Sequence, residues 1–185
     1  MARGPHRMWI VFCAAAALLA GAPARADDAA RFKARALTDA AIQLTDSNQA
    51  VKMLWQATDI DPNSTEPYIY LGLYYQSRED FGKLIEVYKK LVKYRPRETS
   101  AYLNIGEAYM SYNPPKFDEA LGYFRKAYEL DPHSALAALR IGQIMARNGD
   151  REQATRFLKQ AGANSGADSA IAAEANKTLH DMAGF

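Results

Sequence analysis

The chain has 185 residues, 49% of them apolar and 24% charged, which suffices for one domain with a buried core and argues against wholesale disorder. A formal net charge of +2 gives no reason to expect a nucleic-acid partner, and a single cysteine cannot support a disulfide framework or a thiolate metal site.

Residues 1–26 have the layout of a cleavable secretory signal. Arg3, His6 and Arg7 make a basic start, and Met8 to Ala20 is an uninterrupted apolar run of 13 residues. Gly21 and Pro23 break the run, and Ala24-Arg25-Ala26 supplies a small-x-small site before Asp27. Thirteen residues are short against the ~20 that a membrane-crossing helix needs, so the expectation is export, with no membrane span after cleavage. Cys13 lies inside this segment, and Phe12 before it disfavours lipid attachment. Without the leader, 20 basic residues face 21 acidic ones, a near-neutral domain unsuited to nucleic acid or an anionic membrane.

Past the leader, Asp61-Pro62, Arg95-Pro96 and Asp131-Pro132 recur at intervals of 34 and 36 residues. After the first comes Tyr68-Ile-Tyr-Leu71-Gly72-Leu-Tyr-Tyr75, whose residues 68, 71, 72 and 75 fall on one helical stripe. Leu84, Val87, Tyr88 and Leu91 form a second stripe, and Pro96 ends that helix because the residue before a proline is pushed out of helical geometry. The next unit repeats the order with Tyr102-Leu-Asn-Ile105-Gly106-Glu-Ala-Tyr109, then Ala120, Phe124 and Ala127. Between its helices, Ser111-Tyr-Asn-Pro-Pro-Lys116 holds two extra residues, and Pro114-Pro115 forces an outward loop, read either as a neutral insertion or as a contact on the rim of a groove with Tyr112 as its exposed aromatic. A glycine inside a helix costs about 1 kcal/mol against alanine, so Gly72, Gly106 and Gly142 predict close approach of a facing helix.

The aromatic-x-x-aliphatic-Gly-x-x-Tyr pattern at this period resembles the tetratricopeptide repeat, with tyrosine where that family most often has tryptophan. The resemblance extends to residues 135–168 through Ala138, Ile141-Gly142, Met145, Ala154, Leu158 and Ala161, with Asn148-Gly149-Asp150 as the turn. It extends backward to 31–64 through Ala34, Leu37, Thr38, Ala41, Ala50, Leu54, Ala57 and Pro62. The units are thus 31–64, 65–98, 99–134 and 135–168, within a repeat region 27–168. Residues 169–185 add a capping helix and tail, with Ile171, Ala175, Leu179 and Met182 on its apolar side. The implied fold is an all-α, right-handed α-solenoid of about four helix-turn-helix repeats plus that cap.

Catalysis has little to stand on. His133 and His180 have no acidic or thiol partner in motif, no glycine-rich phosphate loop is present, and Asp118-Glu119 suit a helix N-terminus. No cofactor, metal or catalytic residue is assigned. Tyr68, Tyr75, Tyr88, Tyr102, Tyr109 and Phe124 read as core.

The resemblance implies that the first helix of each unit lines a concave, partner-binding groove. Its lining would be Arg35 in the first unit, then Ile69, Tyr70 and Leu73, then Leu103, Asn104 and Glu107, then Leu139, Arg140, Gln143 and Arg147. Ile69, Leu103 and Leu139 would form an apolar line, beside a polar line of Tyr70, Asn104 and Arg140 that ends in Arg140 and Arg147, with Arg140 suited to a carboxylate. The expected function is a non-catalytic, exported adaptor of the bacterial periplasm that holds a peptide or helix of another protein, in envelope assembly. The alternative is a structural protein that self-assembles into homo-oligomers through its repeat ends, the stretch Ala30–Leu44 being less protected than the capped end.

Overall fold

The computed structural model describes residues 26–165 and 170–184. The leader and all but the last residue of Ala24-Arg25-Ala26 lie outside the described residues, as does the junction 166–169. The described residues form nine helices and no strand. They are α1 (26–42), α2 (Ser47–Ile60), α3 (Glu66–Ser77), α4 (Phe81–Tyr94), α5 (Thr99–Met110), α6 (Phe117–Leu130), α7 (Ala135–Arg147), α8 (Arg151–Ser165) and α9 (Ala170–Ala183). The chain divides into two compact units, Met1–Tyr70 and Leu71–Phe185, with the boundary inside α3.

In the first unit, α1 buries Ala34, Thr38 and Ala41, and α2 buries Leu54, Ala57 and Thr58. Both buried threonines are satisfied within their own helices: Thr38 Oγ1 donates to the Ala34 carbonyl at 3.0 Å and Thr58 Oγ1 to the Trp55 carbonyl at 2.7 Å. Asp46 caps α2 by accepting from the amides of Asn48 and Gln49. The opposite side of α1 leaves Phe32 77% exposed and Ile42 partly so.

The second unit is a stack of hairpins in chain order. Its outer helices α4, α6 and α8 follow inner helices that carry the three periodic glycines. A Cβ on Gly106 would stand 2.6 Å from the Phe124 ring, and one on Gly142 would stand 2.7 Å from Leu158 Cγ. One on Gly72 would collide with the Tyr88 hydroxyl. Each glycine thus lets a large side chain of its outer helix lie flat on the inner helix, which is the close approach the sequence predicts. The core continues through Ile141, Ile144, Met145, Ala154, Leu158 and Ala161 to Ala175 of α9.

The proline turns are built alike. The residues before Pro62, Pro96 and Pro132 lie outside helical geometry, and each donates its amide back to its helix, at Ala57, Leu91 and Ala127. Tyr68 then donates its hydroxyl to the Pro62 carbonyl at 3.2 Å, and Tyr102 repeats this with Pro96 at 3.0 Å. At the third turn the equivalent residue is Ala138, and the Asn164 side-chain amide of α8 takes over the Pro132 carbonyl at 3.3 Å. A polar tyrosine in these slots therefore ties the start of one hairpin to the turn that precedes it.

Two hairpin turns share one geometry. After α3 and after α7, a single left-handed residue lets the next amide reach back to the end of the helix: Asp80 to the Tyr75 carbonyl and Asp150 to that of Met145, both at 3.0 Å. The left-handed residue is Gly149 in one turn, with φ +82°, and Glu79 in the other, with φ +56°.

Candidate functional site

The first unit holds Arg35, Ile69 and Tyr70 of the expected lining. Arg35 lies on the exposed side of α1, 3.9 Å from the Asp39 carboxylate one turn on. Ile69 is 48% exposed and Tyr70 half-buried.

In the second unit Leu73 is 56% exposed, an apolar side chain presented to solvent by α3. On α5, Leu103 is half-buried and packs against the core cluster, while Asn104 turns its side-chain amide back to the Ser100 carbonyl at 2.8 Å. Asn104 therefore spends one of its two amide hydrogens on its own helix.

Two expectations need correcting. Leu139 does not line a groove: it is fully buried, in the cluster that α9 joins through Ala175, Ile171 and Leu179. Adding α9 beside α7 covers the face that would otherwise have continued the apolar line. Tyr112 is not an exposed rim residue either. It is half-buried, with its ring centroid 6.0 Å from that of Phe81 and 6.2 Å from that of Tyr109, and Lys116 lies 4.5 Å above it. Tyr109 stacks in turn on Tyr123 and accepts a hydrogen bond from Lys89 at 3.3 Å. The two-residue insertion thus folds its aromatic inward, because a tyrosine gains more by packing on neighbouring rings than by facing water.

Arg140, the expected receiver of a partner's carboxylate, already holds two from its own chain. Its Nε donates to Glu107 Oε1 at 2.6 Å, and its Nη1 to Glu174 Oε1 at 3.0 Å and Gln143 Oε1 at 2.9 Å. Gln143 Nε2 donates to the same Glu174 oxygen at 2.8 Å. Three of the five guanidinium N–H groups are thus committed, and only 20% of the side chain is exposed. Burial works against its charge, but the hydrogen bonds and charges of Glu107 and Glu174 outweigh that and raise its pKa above the ordinary arginine value. Glu174 is held below the usual carboxylate range by the Gln143 amide, with burial opposing and Arg140 assisting.

Glu174 is not among the expected site residues. Its signal is present in the sequence: it stands 34 residues after Arg140, one period of the array, so α9 occupies the slot of a further inner helix. Arg147, two turns beyond Arg140 on α7, lies 4.0 Å above the Phe117 ring. Phe117 too is outside the expected set, being the first residue of a helix that is distant in sequence.

Among the described residues, no three or more His, Cys, Asp or Glu side chains converge as a metal site would require. No helix among them is long and apolar enough to cross a membrane.

Residues 116–175 match the family model described as a tetratricopeptide repeat. The chain is 25% identical over 114 residues to anaphase-promoting complex subunit 3 of Schizosaccharomyces pombe, covering 62% of this chain and 17% of that protein. It therefore spans about a sixth of that relative's length. A thermophilic TPR protein of Thermus thermophilus superposes with a TM-score of 0.56 at 23% identity, covering 80% of each chain. The TPR2B domain of yeast Sti1, solved as a complex with pHsp70, superposes at 0.57 with 20% identity, covering 65% of this chain and 96% of that one. Proteins of this kind are generally non-catalytic scaffolds for protein–protein interaction. Residues 116–175 thus match the tetratricopeptide repeat, and the period of the repeats and the stacked glycine-keyed hairpins give the chain the fold of tetratricopeptide-repeat proteins.

Proposed function

We propose that this chain is a non-catalytic adaptor of the bacterial periplasm that holds a segment of another protein on the inner helices of its repeats, within envelope assembly. The observation that carries the reading is Leu73. A leucine 56% exposed on an inner helix offers a partner an apolar anchor point. The pHsp70 complex of the Sti1 domain supports it, as a case of this fold engaged with another protein. Export rests on the layout of residues 1–26.

Envelope fractions passed over the immobilised protein, beside a Leu73→Asp variant that melts like wild type, test the site. A stoichiometric partner held by the wild type and lost by the variant supports the reading, and no retained partner under mild crosslinking refutes it. Export is tested by the N-terminus of the protein recovered from cells, expected at Asp27.

The second reading, self-assembly through the N-terminal end, is favoured by Phe32 at 77% exposure. Light scattering would then show mass rising with concentration, and Phe32→Ser would abolish the rise. A concentration-independent monomer removes this reading.

A further inference from the structure

Beyond Arg140, the last turn of α7 and the first residue of α8 face the C-terminal half of α9 across a cleft of about 560 Å³. Arg147 and Arg151 reach it from one side, Thr178, Asp181 and Met182 from the other, and Gln143 joins it to the network already described. One amide hydrogen of Gln143 and the Thr178 hydroxyl are committed, to the Glu174 carboxylate and the Glu174 carbonyl respectively. The two guanidiniums are not: among the described residues neither has a carboxylate within ion-pairing distance. Arg147 is nevertheless held in place by stacking on Phe117, which leaves the edge of its fork open to hydrogen-bond acceptors.

We infer that this cleft binds an acidic peptide segment, with a carboxylate between Arg147 and Arg151 and an adjacent apolar side chain against Met182. The charge balance selects that chemistry. Two arginines against Asp181 leave one net positive charge, which matches a single carboxylate better than a phosphate group carrying nearly two negative charges. The Met182 thioether and Ala146 methyl give the floor an apolar surface that a free small anion would not use. The inference rests on the adaptor reading and names the chemistry of the partner at one end of the inner face.

The test is fluorescence anisotropy with the full chain and two labelled peptides of about ten residues, one alternating leucine with glutamate and the other leucine with glutamine. The acidic peptide is expected to bind about tenfold tighter, with the preference shrinking as salt is raised. Arg147→Gln with Arg151→Gln should erase the preference while leaving thermal melting unchanged. Asp181→Asn should strengthen binding severalfold, an outcome that no unfolded variant can imitate. A preference that survives the double substitution, or an Asp181→Asn variant that binds more weakly, overturns the inference. So does a wild type that ignores both peptides, and capture of an envelope partner by that same protein would leave the adaptor reading standing.

Discussion

Glu79 and Gly149 occupy the same left-handed position in two equivalent turns, and only one of them suits it. A residue with a Cβ pays a steric penalty of about 1–2 kcal/mol there, partly offset by the entropy glycine loses on folding. Glu79→Gly is therefore expected to stabilise the protein by roughly 0.5–1 kcal/mol, and Gly149→Ala to destabilise it by about 1 kcal/mol, both read from urea unfolding. The helical glycines divide the same way. Gly106→Ala drives a methyl into the fully buried Phe124 ring and should cost roughly 1–3 kcal/mol despite the better helix propensity. Gly122 lies on the exposed side of α6 with nothing within 4 Å of an added Cβ, so Gly122→Ala should add about 1 kcal/mol. If both alanines shift the midpoint in the same direction, the packing argument for Gly106 fails. That Gly106 has a packing role was legible from its recurrence at the repeat period. That Glu79 is left-handed was not, because glutamate gives no local signal for it.

At the scale of the element, α9 is more than a lid on exposed apolar surface. It buries Ala172 and Ala175 and carries Glu174 to Arg140, completing a row in which α5, α7 and α9 contribute Glu107, Arg140 and Glu174. The Glu174 carboxyl has a folded pKa below its ordinary 4.5, so it stabilises the native state above that pH. The contribution is complete at neutral pH and is lost as the pH falls through the depressed folded value. Because the Glu174 side chain is 46% exposed, solvent screening holds this to under about 1 kcal/mol. Wild-type stability should therefore drop more steeply than that of Glu174→Gln between about pH 5 and pH 3, with amide exchange in α9 rising in parallel. Parallel acid limbs for the two proteins would mean that the pair contributes nothing measurable. The helix itself was readable from its apolar spacing, as was its capping role. The ion network needed the register of α9 against α7, which no local pattern specifies.

For the whole molecule, stability in a repeat array is close to a sum of repeat terms and neighbour interfaces, and the last interface is that of α9. Deleting residues 170–185 should uncover Leu139 and Leu158 and lower the melting temperature by several degrees, with dye binding marking the new apolar surface. A truncated chain that melts with the full one would show that α9 is not part of the cooperative fold. The same helix shifts the expected partner surface. The apolar line expected through Leu139 ends earlier, and Arg147, unlike Arg140, has no carboxylate of the described residues within ion-pairing distance.

Periodicity by itself determined the helices, their order, the hairpin turns and the glycine-keyed contacts, because each depends on side chains within about one repeat of one another. The tertiary structure alone decided which inner-face residues remain available. Leu139, Arg140 and Tyr112 are taken by partners 30 or more residues away on other helices, or by rings on neighbouring ones. Availability is what remains after packing, and packing between elements is set by register and by what lies beyond the repeat, neither of which is written at the position concerned.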